Sequence, residues 1–479
     1  MLIYFLLSCS CFNVVISSLA VKSSPLADLL ESDLYISSTN HITNSITLRE
    51  IAPEHRGLFA RSSIRNNTHI FTIDEKQLIT YSQVLKRSRT LHLNLSCHTE
   101  FALFLLDEIA LIATGKASVY KSYIQALPNF LNSPRFWAME ELRWLSGSPL
   151  FNLTMETKAD VRADHSFITT AAKTIYYSLS EFEWASAIIA SRLFDVDIAG
   201  KTTQVLAPLA DLLNHGSVLN NADWGFDDKR QVFLVTTVAD IKAGQEILFS
   251  YGSKSNAQLL HSYGFALESN ANPIKGIVYN TLRLNAENMP LPHNIYRATK
   301  LRRLGGSLHL PTEFTITINY ATSTTRQVFS YYRFAHASST SELNSCPKVI
   351  NGDTLIKSPI PPLSRRNEIS VLNTLAHLAQ DALSRYSPQQ TTAAISPNHA
   401  AAILLIRGEI SIAHYYLRLK HDILPLLLHD VGYAAVDKLK KKLEMMASYA
   451  TYEDRAISAY LHDVIEPLVL RDEKERFFS

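Results

Sequence analysis

Glycine is scarce in this chain: 15 of 479 residues, about 3% where about 7% is usual. Little material is left for glycine-rich phosphate cradles. The segment that ends most like a phosphate loop, Gly200-Lys201-Thr202, has Asp195 where such a loop requires glycine. Cysteine is scarcer still, with Cys9 and Cys11 in the apolar N-terminus and Cys97 and Cys346 isolated from each other. No zinc site can be assembled from these four. A body this large has no need of a disulfide, so Cys97 and Cys346 are expected to be unpaired buried thiols. An excess of charge is missing as well. The 46 Lys and Arg against 44 Asp and Glu leave a formal net charge of +2, no broad field for a phosphate backbone, and nucleic acid is not an expected partner.

What is present in quantity is apolar residue, 47% of the chain, enough to bury more than one core. At about 150 residues per domain the length corresponds to roughly three domain-sized pieces. Residues 1–20 form an apolar leader without a charged side chain, containing Leu2-Ile3-Tyr4-Phe5-Leu6-Leu7 and ending in the small-x-small pattern Ser18-Leu19-Ala20. This reads as a signal peptide for secretory entry or for plastid-type organelle import. Without it the cytoplasm or nucleus is the expected compartment. Serines, cysteines and Asn13 interrupt the run, so no stable membrane span is expected there.

From about residue 44 the texture is β-like: Ile46-Thr47-Leu48, Gly57-Leu58-Phe59-Ala60 and His69-Ile70-Phe71-Thr72-Ile73, with turn-forming Asn66-Asn67 between them. Glu100 to Ile112 is apolar nearly all round, which argues a helix buried on most faces. Helical texture continues to about Leu193. The β-like runs Val232-Phe233-Leu234-Val235 and Glu246-Ile247-Leu248-Phe249 follow. A helical insert, about 99–200, therefore splits a β domain. Residues 337–366, rich in Ser, Pro and Asn, read as an exposed loop. After them Ile403, Ile406, Ile410, Ala413 and Leu417 recur at steps of three and four, an amphipathic helix in a mostly α C-terminal third. No internal repeat of fixed period is present.

Polar residues set among apolar ones gather in Pro208-Leu209-Ala210-Asp211-Leu212-Leu213-Asn214-His215, in Gly244-Gln245-Glu246-Ile247-Leu248-Phe249-Ser250-Tyr251-Gly252, and in Ser262-Tyr263-Gly264-Phe265. Singly, each has a bland explanation: an Asn-His pair is commonly a turn, and a lone tyrosine is commonly core. Together, in this order and spacing, they resemble the SET-domain methyltransferases, in the subgroup like the Rubisco large-subunit lysine methyltransferase. Support comes from Glu54-His55-Arg56-Gly57-Leu58-Phe59-Ala60, from Tyr123-Ile124-Gln125-Ala126-Leu127-Pro128, from Phe136-Trp137 with Glu140-Glu141-Leu142 and, more distantly, from Arg407-Gly408-Glu409.

The resemblance implies an α+β fold. A SET-domain β fold with a pseudoknot, spanning 44–273, is split by the helical insert and followed by an all-α substrate-binding domain over 285–479. It implies an S-adenosylmethionine-dependent protein-lysine N-methyltransferase acting on a non-histone protein as a monomer, with protein-histidine methylation or a catalytically silent adaptor as the alternatives. By the same resemblance Tyr251 is the catalytic residue, and Glu54, His55, Arg56, Arg192, Asp211, Asn214, His215, Tyr263 and Phe265 form the cofactor site. The chain departs from the family's usual Gly-x-Gly near the cofactor, with His55 at the first position and Arg56 between, which bears on cofactor affinity. No second ligand accompanies His215 at metal spacing, so no metal is expected.

Overall fold

The structure, a computed structural model, describes residues 45–52, 55–172, 177–216, 220–272, 277–285, 294–304, 313–318, 322–387, 394–428, 432–445 and 451–477. The leader and Glu54 lie outside them. The described residues form two compact units. The first runs up to Trp137 and takes in Leu153–Ser253 and Leu260–Phe265; the second takes in Ala138–Asn152, Lys254–Leu259 and the residues from Ala266 onward.

In the first unit, β1 (Ile46–Ala52) and β2 (His55–Ala60) form an antiparallel hairpin that buries Ile46, Leu58 and Ala60. β3 (His69–Asp74) pairs with β9 (Val232–Thr237), which pairs in turn with β8 (Ala222–Asp227). Alternate residues of β9, Phe233, Val235 and Thr237, face the core, the period of two that a half-buried strand requires. The third sheet has the order β4 (Ile79–Thr80), β6 (Lys201–Leu206), β5 (Leu193–Ile198). Ala199 and Gly200, both at positive φ, make the tight turn of the β5–β6 hairpin, so Gly200-Lys201-Thr202 turns a ribbon and cradles no phosphate.

The buried helix expected at Glu100–Ile112 spans Cys97–Ala113, capped by the Ser96 hydroxyl on the Thr99 N–H, and packs against Leu179–Arg192. A helix at Tyr81–Arg87 was not expected; its signal is the local capping box between Thr80 and Gln83. Cys97 and Cys346 are both unpaired, but only Cys346 is buried, since Cys97 at its helix N-terminus stays partly exposed.

The second unit is mainly helical, with a small antiparallel ladder of Leu282–Asn285 on Glu313–Ile316. One sequence expectation fails here and a second holds in part, with Ile403, Ile406 and Ala413 buried as expected. Residues 337–366 are not an exposed loop: they form helices Thr340–Asn344 and Gly352–Lys357, capped by Ser339 and Asn351, and bury Leu343, Cys346, Ile350, Leu355 and Ile360. The serines and asparagines that read as loop formers serve as helix caps. The guanidinium of Arg303 also gathers the carbonyls of Leu343 (2.6 Å) and Cys346 (3.4 Å). In the long helix Pro397–Leu428 the buried stripe runs through Ile406, Glu409, Ile412, Ala413, Tyr416, Leu419 and Ile423, while Ile410 and Leu417 flank it, because two tyrosines and a glutamate occupy inward positions that an apolar count passes over. By length and composition this helix is apolar enough to cross a membrane, but 56% of its most apolar window is buried within the protein.

Glu409 is 3% exposed and accepts hydrogen bonds from Ser148 Oγ (3.0 Å) and the Tyr386 hydroxyl (2.8 Å). Burial pushes its carboxyl up to about 7, against these two bonds and the nearby Arg385, which pull it down. A carboxyl raised on folding contributes stability that is present below its ordinary value of about 4.3 and is lost as pH rises toward 7. Stability is expected to fall by roughly 3 kcal/mol between pH 4 and 8 from this group, at 1.36 kcal/mol per pKa unit. Urea midpoints measured across that range should show the decline in the native chain and a flatter profile in Glu409→Gln; an identical slope in both would contradict it.

Candidate active site

Two strands of two residues each make the central crossing. β7 (Asn214–His215) and β10 (Leu248–Phe249) pair in parallel, Leu248 opposite Asn214 and Phe249 opposite His215. Parallel pairing cannot be closed by a tight turn, and here the β8–β9 hairpin fills the connection. Asn221 locks the crossing, its side chain donating to Glu246 O (2.8 Å) and accepting from the Leu248 N–H (2.9 Å). On the other side β2 joins the same segment, with Ile247 N donating to Leu58 O (2.8 Å) and Ala60 N to Gln245 O (2.9 Å).

The Asn214 amide donates to Arg56 O at 2.9 Å and to Glu246 Oε1 at 2.7 Å. Both partners are acceptors, so the NH₂ must face them, and what a ligand meets from this side chain is its carbonyl oxygen. Gly57 lies directly over these bonds: a Cβ there would stand 2.2 Å from Glu246 Oε1 and 2.8 Å from Asn214 Nδ2. Gly57→Ala is therefore expected to cost about 1–3 kcal/mol of stability by overpacking, because Glu246 and Asn214 must turn. Denaturant unfolding of that variant checks this; a native-like midpoint would contradict the crossing.

Tyr251 follows β10. Its N–H donates to His215 Nδ1 at 3.0 Å, which fixes that nitrogen as an acceptor and leaves the ring proton on Nε2. Its hydroxyl donates to Leu213 O at 2.9 Å. Around its ring stand Tyr263 (4.6 Å between centroids), His215 (5.1 Å), Phe249 (5.4 Å) and Phe265 (6.4 Å). Burial holds the Tyr251 phenol well above its ordinary value, opposed by Arg192 and reinforced by Tyr263, Asp211 and Glu246. Tyr263 is pushed up to about 12 by burial alone. Both are therefore neutral phenols near neutral pH.

The Leu213 carbonyl is aimed by a strained turn. Leu209 is fully buried at φ +78, in a region that non-glycine residues seldom occupy. The residues after it are pinned: Arg192 donates to Asp211 O, and the Tyr123 hydroxyl donates to Asp211 Oδ2 at 2.7 Å. The Asp211 carboxylate, its side chain 1% exposed, lies 3.6 Å from the Arg192 guanidinium. Burial raises the Asp211 carboxyl, and Arg192 and Tyr123 pull it back down. Asp211 Oδ1 and Arg192 Nε are both buried with no partner among the described residues.

The structure thus brings Arg192, Asp211, Asn214, His215, Tyr251, Tyr263 and Phe265 into one region of the first unit, with the backbone of Arg56 at its edge. The Arg56 side chain leaves that edge and donates to Ala126 O at 2.9 Å, so its bulk is held against the insert. His55 pairs with Ala52 in the β1–β2 hairpin, and Glu54 lies outside the described residues. Sequence reasoning assigned no role to Glu246, which anchors Asn214, or to Tyr123, which anchors Asp211. A carboxylate inside an otherwise apolar strand run was the available signal for the first. The second stood in the run Tyr123-Ile124-Gln125-Ala126-Leu127-Pro128 quoted above, with no role given to it.

Residues 55–252 match the SET domain, and residues 296–401 match the Rubisco LSMT substrate-binding domain. Among curated proteins the chain is 31% identical over 242 residues to the [fructose-bisphosphate aldolase]-lysine N-methyltransferase, chloroplastic, of Arabidopsis thaliana, covering 47% of this chain and 49% of that one. It is 31% identical over 186 residues to the ribulose-1,5 bisphosphate carboxylase/oxygenase large subunit N-methyltransferase, chloroplastic, of Pisum sativum, covering 36% of this chain and 37% of that one. The matched regions span about half or less of these relatives. The crystal structure of the SET domain of LSMT bound to lysine and AdoHcy superposes with a TM-score of 0.63 over 87% of this chain and 92% of that chain at 19% identity, a likeness of fold. The chain thus carries a SET domain followed by a Rubisco LSMT substrate-binding domain, and the relatives it resembles are lysine methyltransferases of the Rubisco LSMT-like kind.

Proposed function

We propose that this protein is an S-adenosylmethionine-dependent protein-lysine N-methyltransferase acting on a non-histone protein, with Tyr251 as its catalytic residue. The observation that carries the reading is the Tyr251 phenol held between the His215 ring and the Leu213 carbonyl, inside a ring of aromatic faces. The donor set fits a sulfonium cofactor: aromatic faces attract a cation, the Asn214 carbonyl and the Leu213 and Arg56 backbone carbonyls are acceptors, and Arg192 Nε is a buried donor without a partner. Arg56 backbone, Asn214, His215, Tyr263 and Phe265 would hold the cofactor, with Arg192 and Asp211 bordering it; Glu54 and His55 are assigned there by resemblance alone. When bound, the cofactor supplies an electrophilic methyl group for in-line displacement by an amine.

The chain's own residues then have three tasks. Asn214, fixed by Glu246 and Arg56, sets the position of an acceptor. Tyr251 orients the incoming amine with its hydroxyl oxygen, whose own proton is committed to Leu213 O. Phe249, Tyr263 and Phe265 exclude water, which favours the neutral amine of a lysine whose unperturbed pKa is about 10.4. Geometry, more than acid or base strength, lowers the barrier. Transfer is therefore expected to accelerate steadily from pH 7 to 9 as the amine loses its proton, without a falling limb, because Tyr251 is raised and stays a phenol. A kcat/KM profile that declines within that range would contradict this. The non-histone assignment is supported by the four cysteines, too few for the zinc-binding flanks of many histone-directed relatives.

The test is transfer from methyl-labelled S-adenosylmethionine to candidate protein acceptors, followed by mass spectrometry of the modified residue. Label on a lysine side-chain nitrogen is the expected result. Label on a histidine ring would replace lysine by histidine, and a folded protein that neither binds the cofactor nor labels any acceptor would favour the adaptor.

A further inference from the structure

Arg135 lies in the single turn Pro134–Phe136 of the first unit and is 9% exposed. Its Nε is buried with no hydrogen-bond partner, and no carboxylate among the described residues reaches its guanidinium within ion-pair distance. A guanidinium keeps its proton in a protein, so a buried one needs a counter-charge. Arg333, buried in the second unit, shows how this fold provides one: its two N–H groups meet both oxygens of Glu368 at 2.8 and 2.7 Å. Arg135 has nothing equivalent.

Its surroundings add positive charge and donors. Lys158 Nζ donates to Arg135 O at 2.7 Å, and Thr157 Oγ1 lies 3.4 Å from His261 Nε2. His261 Nδ1 is a second buried nitrogen without a partner. Burial, with Arg135 adding to it, pulls His261 down to about 4, and burial together with Arg135 also lowers His98, while Asp195 raises it. The acidic group facing Arg135 is Glu183, itself 3.8 Å from Arg162. Arg135, Phe136, Thr157, Lys158, Val161 and Glu183 line a small cavity with about 10 Å³ for the centre of a water-sized sphere, space for one small particle.

We propose that this cavity binds one monatomic inorganic anion of the chloride class, with Arg135 as its counter-charge and Lys158 as a neighbouring donor. The anion completes the turn on which the end of helix Asn256–Tyr263 rests. Ser133 Oγ donates to His261 O at 2.6 Å, and Gly264, at φ +81, lies so close to Asn132 that a Cβ would stand 2.7 Å from its carbonyl carbon. Binding to the native state alone raises the unfolding midpoint with the logarithm of anion concentration.

The experiment compares thermal unfolding of the full chain in sodium chloride and in sodium gluconate at equal ionic strength, and locates bromide by anomalous diffraction in soaked crystals. The expected result is a higher midpoint in chloride, a gap that widens with concentration and closes in Arg135→Met, and a bromide peak beside Arg135. Should Arg135→Met fail to fold, Lys158→Met, expected to narrow the gap, takes its place. Equal midpoints in the two salts, or crystals in which Arg135 pairs with Glu183 and no bromide lies beside it, would overturn the proposal.

Discussion

Replacing Tyr251 with phenylalanine is expected to reduce methyl transfer by about 10²–10³-fold, the usual consequence of removing one preorganised polar group from a reaction centre. Cofactor affinity should be preserved, because the aromatic ring and its contacts with Tyr263, His215, Phe249 and Phe265 survive the change. What is lost is the hydroxyl, and with it the hydrogen bond to Leu213 O. That carbonyl then lacks its partner, at a cost of about 1–3 kcal/mol, so part of the stability goes too. The signature is a fall in kcat with an unchanged cofactor titration. Unchanged turnover would remove Tyr251 from its assigned role.

The largest expected effect on stability lies in the second unit. Arg333 and Glu368, 2% and 0% exposed, form a two-pronged pair, with Arg333 also donating to Ile360 O at 2.9 Å and the Tyr460 hydroxyl donating to Glu368. Glu368→Ala leaves a buried guanidinium without its carboxylate counter-charge, and a loss of about 3–5 kcal/mol is expected. The double replacement Arg333→Met with Glu368→Leu removes both charges and should recover much of that loss. Urea denaturation of the three proteins makes the comparison. A single variant that loses less than about 1 kcal/mol would mean that the pair carries no more than a surface bridge does.

Much of the first unit's layout is legible in the sequence, because its strands and its buried helix are each specified locally. A β-like apolar run marks β9, and all-round apolarity marks Cys97–Ala113. The crossing of β7 and β10 has no local signature. Asn214 and Tyr251 stand 37 positions apart, and only a parallel pairing of two residues each brings their neighbourhood together. For the same reason the parts played by Glu246 and Tyr123 were invisible: each acts through a bond across 32 or 88 positions of sequence. Residues 337–366 misled in the opposite direction, since Ser and Asn favour turns and helix caps for one physical reason, the competition of their side chains for backbone N–H groups.

Residues at the crossing carry the central claim, that this chain binds S-adenosylmethionine at the site built around Asn214. Calorimetric titration of the purified protein with S-adenosylmethionine, beside Asn214→Ala as control, tests it most directly. Saturable binding to the native protein that disappears in the folded variant is the predicted result. A folded native protein that takes up no cofactor would contradict the account, and would mean that His55 and Arg56 have closed the site that Asn214, His215 and Tyr263 otherwise form.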